Sequence, residues 1–183
     1  MIVVMGTPGA GKSTIIRKFK EMHPDAVVVN FGTVMFDIAS KHYGVTSRDG
    51  MRLLRRDRFR EIQGRAAGEL LKHGQGIIID THASVRMADG YYPGFPHYVL
   101  SKLRIDAFLY IRAPPVEIAS RRERDTTRKR DPETLDEIKF HEMVNLSMVS
   151  SYAAYANAPI KFIINEDGKL DQTMRQFEEC VGL

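Results

Sequence analysis

The 183-residue sequence contains one cysteine, Cys180. A lone thiol excludes an internal disulfide and a cysteine-held zinc cluster, so a reducing, cytoplasmic setting is expected. No apolar run approaches the ~20 residues that a membrane-spanning helix requires, and no membrane role is expected. The apolar start Met1-Ile2-Val3-Val4-Met5 is too short for a signal-peptide core and passes straight into a glycine-rich turn. Repeats, low-complexity tracts and linkers are missing, as is the Asn-Lys-x-Asp guanine motif that a GTPase would carry. The arginines alternate with acids and have no accompanying array of aromatics, which argues against a nucleic-acid partner.

What is present fits one globular domain: 43% hydrophobic and 27% charged residues, with a net charge of +4. Five short β-rich runs occur at Ile2–Met5, Ala26–Asn30, Gly76–Asp80, Ala107–Ile111 and Ile160–Ile164. Each leads into turn residues and a helix-like stretch, which predicts an α/β class. Unbroken runs such as Val27-Val28-Val29 and Ile77-Ile78-Ile79 predict strands covered on both faces, as in a parallel sheet between helices. Pro115 predicts a helix start, with Glu117 and Arg121 paired at i,i+4. Pro24 and Pro159 each close a helix. After the turn Asn165-Glu166-Asp167-Gly168, the spacing of Leu170, Met174, Phe177 and Val181 predicts a C-terminal amphipathic helix. Two intervals exceed a plain crossover: 31–74, which must hold two or three helices, and the arginine-rich 121–136.

Gly6-Thr7-Pro8-Gly9-Ala10-Gly11-Lys12-Ser13 matches G-x-x-x-x-G-K-[ST] at every fixed position, between the first strand and a helix opening at Thr14. Its glycines let the backbone wrap a phosphate, and the amides and helix N-terminus favour the anion. Lys12 is placed to reach the β- and γ-phosphates and Ser13 to hold Mg²⁺. Asp80 ends the third strand; it either holds Mg²⁺ through water or caps the following turn. His82 reads as a hydrogen-bonding scaffold. In the insert Arg121–Asp131, Arg122, Arg128 and Arg130 are candidates to neutralise a transferring phosphoryl group, or they form a solvated, salt-bridged face. Arg48, Arg52, Arg55 and Arg56 share a face at helical spacing and could take an acceptor phosphate or stay exposed. Gly32 allows close approach past the second strand, where Thr33 either serves a base or sugar or caps a helix.

In these segments the chain resembles the adenylate kinases of archaeal type. The resemblance runs over the whole chain, through Asn30-Phe31-Gly32-Thr33-Val34-Met35, Arg48-Asp49-Gly50-Met51-Arg52, Asp80-Thr81-His82, Gly90-Tyr91-Tyr92-Pro93-Gly94-Phe95-Pro96 and the arginine-rich insert. It implies a P-loop NTPase fold with a five-stranded parallel sheet and helices on both faces. It also implies a helical AMP-binding segment at 31–74 and a short lid at 121–136. The implied reaction is MgATP + AMP ⇌ 2 ADP, and a homotrimer is implied as well. Bacterial members carry an arginine where this chain has Ile38, and Asp-Gly-Phe-Pro-Arg where it has Asp80-Thr81-His82-Ala83-Ser84. The AMP phosphate must therefore find other cations, with Arg48, Arg52 and Arg86 as candidates. Rival readings are a cytidylate, uridylate or small-alcohol kinase, and a nucleotide-switched RNA or ribosome-assembly factor.

Overall fold

The computed structural model describes residues 1–87, 89–125 and 133–182. All five expected strands form: β1 (Ile2–Gly6), β2 (Val28–Asn30), β3 (Ile78–Asp80), β6 (Ala107–Arg112) and β7 (Ile160–Ile164). They make one parallel sheet in the order β2-β3-β1-β6-β7. Side chains alternate across it with the two-residue period of a pleated strand. Val3 and Met5 of β1 and Phe108 and Tyr110 of β6 face one apolar cluster; Val4, Leu109 and Ile111 face the other. The central strands are therefore buried on both sides, which is why their sequence is almost uniformly apolar.

Helix α1 (Lys12–Met22) and helix α7 (Leu170–Val181) cover one face through Ile15, Ile16, Phe19, Met174 and Phe177. Phe19 and Phe177 meet edge to face at 5.1 Å, a favoured aromatic geometry. Helix α5 (Pro115–Arg124) adds Ile118 to that cluster, and its Arg121 pairs with Glu117 at 2.9 Å as the spacing predicted. The other face takes α2 (Phe31–Tyr43), α3 (Arg56–Leu71), the short α4 (His97–Leu100) and one side of α6 (Leu135–Ala156). Thr134 starts α6 with a capping box: its hydroxyl accepts from the Glu137 amide, and the Glu137 carboxylate accepts from the Thr134 amide.

Two features depart from the expectations. The residues after β3 form an antiparallel hairpin, β4 (Ser84–Met87) against β5 (Gly90–Pro93). The arginines at 48–56 do not lie on one helix. A 3₁₀ turn covers Asp49–Leu53, Leu54 and Arg55 are extended, with ψ of 147° and 146°, and α3 begins afresh at Arg56. Arg52 therefore does not share a helical face with Arg55 and Arg56.

Candidate active site

The parallel register brings the site together. Asn30 and Asp80 end neighbouring strands opposite one another, and Asp80 lies opposite Val4, two residues before the glycine loop. From Gly6 the loop turns tightly, with the Ala10 amide donating to the Thr7 carbonyl at 2.9 Å. Gly9 and Gly11 have φ of +93° and +90°, a region costly for any residue with a Cβ. At Gly11 an added Cβ would lie 2.1 Å from the Asn165 side-chain nitrogen. That nitrogen donates to the Ala10 carbonyl at 2.8 Å, so the turn after β7 braces the loop from outside. Lys12, Ser13 and Thr14 open α1.

Lys12 is buried and its ammonium bonds Asp80 Oδ1. The Asn30 side-chain amide donates to Asp80 Oδ2 at 2.6 Å. The two carboxylate oxygens thus face Lys12 of the loop and Asn30 at the end of β2. Asn30 also caps α2, its Oδ1 accepting from the Thr33 amide at 2.8 Å and the Thr33 hydroxyl at 3.0 Å. Thr33 is accordingly the third residue past the cap, with Gly32 beside it, and Arg48 reaches across to bond its hydroxyl.

Ser13, Asn30, Thr33, Arg48 and Asp80 line one cleft of about 520 Å³, together with Arg17 and Lys20. The latter two were not singled out in the sequence, although with Ser13 they fall at i, i+4 and i+7 on α1. Arg52 and Arg86 do not line this cleft. Arg52 is half exposed beside Asp49 at 3.8 Å; Arg86, on β4, pairs with Glu133 at 3.4 Å. Arg122 is nearly buried. Its Nε and Nη2 donate to the Pro8 carbonyl at 2.9 and 2.6 Å, and its Nη1 bonds Glu133. It therefore grips the glycine loop's backbone. Arg121 ties α5 to the turn after β7 through Asp167 at 2.6 Å and the Asn165 carbonyl at 2.9 Å. Arg128 and Arg130 lie outside the described residues.

The oxygens of Ser13 and Asp80 in one cleft form a hard donor set that suits Mg²⁺, an ion that usually takes one or two protein oxygens and completes its shell with phosphate and water. Below the loop, the Tyr110 hydroxyl and Thr7 Oγ1 share a hydrogen bond of 3.0 Å. Burial pushes the Tyr110 pKa up to about 12, against the opposing effect of the Thr7 contact. Burial likewise lowers the His141 pKa.

A family model described as an AAA domain matches residues 5–139. The chain is 38% identical over 181 residues to the adenylate kinase of Thermoplasma acidophilum, covering 99% of this chain and 98% of the relative. It is 39% identical over 180 residues to that of Pyrobaculum aerophilum, with 98% and 90% covered. With the adenylate kinase of Methanocaldococcus jannaschii the identity is 34% over 188 residues, with 99% and 97% covered. Among solved structures, shikimate kinase from Bacteroides thetaiotaomicron superposes with a TM-score of 0.62 at 15% identity, covering 100% of this chain and 98% of that one. The Acinetobacter baumannii shikimate kinase gives 0.57 at 15% identity, with 98% and 92% covered. These two share the fold, a P-loop kinase architecture. Full-length likeness to curated relatives, on a chain whose Ser13 and Asp80 share one cleft, makes this protein a member of the adenylate kinase family and a phosphotransferase.

Proposed function

We propose that this adenylate kinase transfers the γ-phosphoryl group of ATP, bound with Mg²⁺, to AMP and releases two ADP. The observation that carries the reading is that Ser13 and Asp80 share one cleft with Asn30, Thr33 and Arg48, so donor and acceptor phosphates can meet in line. An oxygen of the AMP phosphate attacks the γ-phosphorus, and the bond from that phosphorus to the β–γ bridging oxygen breaks, so that the donor leaves as ADP and the acceptor becomes ADP. No general base is needed, because a phosphate monoester with a second pKa near ~6 is largely ionised at neutral pH.

Loop amides from Gly6 through Thr14 cradle the donor phosphates, with Pro8 and Ala10 shaping the turn. Lys12 exchanges Asp80 for the β- and γ-oxygens, where its charge counts most as the transition state spreads charge outward. Ser13 and, through water, Asp80 would hold Mg²⁺. The ion neutralises charge on the phosphate oxygens when bound. Thr33 and Arg48 hold AMP beside Gly32, Arg52 approaches its phosphate as residues 31–74 close, and Arg86 meets it from β4. Residues 121–136 act as the lid, Arg122 tightening the loop while Arg128 and Arg130 meet the transferring group; exclusion of water limits hydrolysis. The whole chain works as one kinase domain. Resemblance to the archaeal type further supports a homotrimer, to be checked by light scattering, and the single cysteine Cys180 supports a cytoplasmic setting.

The test is a panel of acceptors, AMP, CMP, UMP and shikimate, with γ-labelled ATP. Label should enter ADP with AMP at a rate at least about tenfold above any other acceptor, a gap of about 1.4 kcal/mol in transition-state stabilisation. Faster labelling of another acceptor would replace AMP in this reading.

A further inference from the structure

One side of α1 lines much of the cleft that holds the reacting groups. Ser13, Ile16, Arg17, Lys20 and Glu21 all face it. They fall at i, i+3, i+4, i+7 and i+8, the spacing of a single helical stripe. At about 1.5 Å per residue, Arg17 lies about 6 Å and Lys20 about 10 Å along the axis from Ser13. Ile16 is buried and the two cations are exposed, so the stripe is an apolar floor with a basic edge. Side chains of this kind lay their stems on apolar surface and present the charge beyond it.

The charged groups elsewhere in the cleft are engaged with one another. Asp80 takes Lys12 on one oxygen and the Asn30 amide on the other. The Asn30 Oδ1 accepts from the Thr33 amide and hydroxyl, and Arg48 bonds the Thr33 oxygen. Chemistry fixes each donor in this chain, since ammonium and guanidinium groups only donate and a carboxylate only accepts. Arg17 and Lys20, by contrast, make no hydrogen bond or ion pair among the described residues. Glu21 makes none either, although it stands four residues beyond Arg17, where an i,i+4 pair is within reach. The cleft thus presents two uncommitted cations and one uncommitted acid from a single helix.

Until residues 31–74 close, the acceptor phosphate finds too little charge without them. A phosphate monoester carries about −1.5 to −2 charges at neutral pH, and position 38, where bacterial members place an arginine, is isoleucine. Of the cations that the resemblance offers, Arg48 alone lines the cleft. Arg52 stands beside Asp49, and Arg86 beside Glu133. We propose that Arg17 is a binding residue for the acceptor phosphate, working with Arg48, and that Lys20 adds attraction for the same anion from one turn further out. The acceptor oxygen must meet a γ-phosphorus held beside Lys12 and Ser13, so the acceptor phosphate belongs about one helical turn from Ser13, where Arg17 stands. The planar fork of an arginine suits two phosphate oxygens at once, whereas the ammonium of Lys20 acts as a point charge.

The proposal rests on AMP as the acceptor, so its test joins steady-state kinetics, with each nucleotide varied, to equilibrium dialysis of AMP, which needs no turnover. Arg17→Gln should raise both Kd and KM for AMP by about tenfold. KM for ATP and kcat should stay within about twofold, the pattern of a contact made equally in ground and transition states. Lys20→Gln should raise the AMP constants by about threefold, and Arg17→Lys, which keeps the charge, should recover most of the loss. Each lost cation should also make KM for AMP less dependent on salt, which a change in helix packing alone would not do. Lys18→Gln is the control. It removes the same charge from the same helix at a side chain outside the cleft, bonded to Asp171 of α7 at 2.7 Å, and should leave the AMP constants unchanged. Three results would each overturn the proposal: AMP affinity within about twofold of the parent when Arg17 and Lys20 are both replaced by glutamine, an equal loss in Lys18→Gln, or a KM for ATP that rises as far as that for AMP. A parent enzyme that transfers nothing to AMP, yet binds it and loses that binding in Arg17→Gln, would refute AMP as the acceptor and uphold the phosphate subsite.

Discussion

Replacing Gly11 by alanine probes the brace between the phosphate loop and the turn after β7. Two costs arise. At φ of +90° a residue with a Cβ is strained by about 1–3 kcal/mol. The new methyl would also sit 2.1 Å from the Asn165 side-chain nitrogen, forcing that amide off the Ala10 carbonyl it now meets at 2.8 Å. Leaving that carbonyl buried without its donor costs about 1–3 kcal/mol, for a total loss of about 2–6 kcal/mol. Asn165→Ala alone removes the same hydrogen bond, at about 1–3 kcal/mol. In the double variant the clash is gone and only strain and the lost bond remain, so it should be no less stable than Gly11→Ala. Urea denaturation of the parent, both single variants and the double variant measures this cycle. Single effects that add fully in the double variant, or a Gly11→Ala protein within about 1 kcal/mol of the parent, would refute the geometry of the brace.

Asp80→Asn should raise the Mg²⁺ concentration needed for half-maximal rate, with circular dichroism unchanged; an unaltered Mg²⁺ profile would mean that Asp80 serves only to pin Lys12. His141 has a folded-state pKa below its ordinary 6.5, so between those two values the unfolded chain binds more protons. Its contribution to stability is therefore fully present above pH 6.5 and falls as the pH drops toward the folded value. His141→Gln should flatten this part of the stability profile, and an unchanged slope in urea melts would show that the imidazole is not held neutral. Phe177→Ala empties a buried contact with Phe19 at 5.1 Å and should cost about 3–5 kcal/mol in the same melts.

The sheet was legible because its strands are short, apolar and regularly separated, and the alternation of faces follows from the pleat. The hairpin Ser84–Pro93 was not foreseen: its strands are four residues each and partly exposed. The Asp89-Gly90 dipeptide between Val85-Arg86-Met87 and Tyr91-Tyr92 was its available signal. The break at Leu54–Arg55 carries neither proline nor glycine, so helical spacing carried the four arginines onto one face that the chain does not build. The glycine loop could be read because its chemistry is contained in eight neighbouring residues. Its supports could not be read in that way. Arg122 grips Pro8 from 114 positions away and Asn165 holds Ala10 from 155 away, distances over which local pattern carries no information. The same holds for Asn30, which caps α2 and steadies Asp80 only because parallel register sets the two strand ends side by side.

The most direct measurement is a coupled assay of ADP formation with AMP present and absent. With AMP, two ADP should appear for each ATP consumed, and without it the rate should fall at least about a hundredfold, because the acceptor then is only water. Lys12→Ala should lower the rate with AMP by about a hundredfold as well, since it removes the charge on the transferring group. ADP formation at the same rate without AMP, or a Lys12→Ala enzyme within about threefold of the parent, would contradict phosphoryl transfer to AMP at this loop.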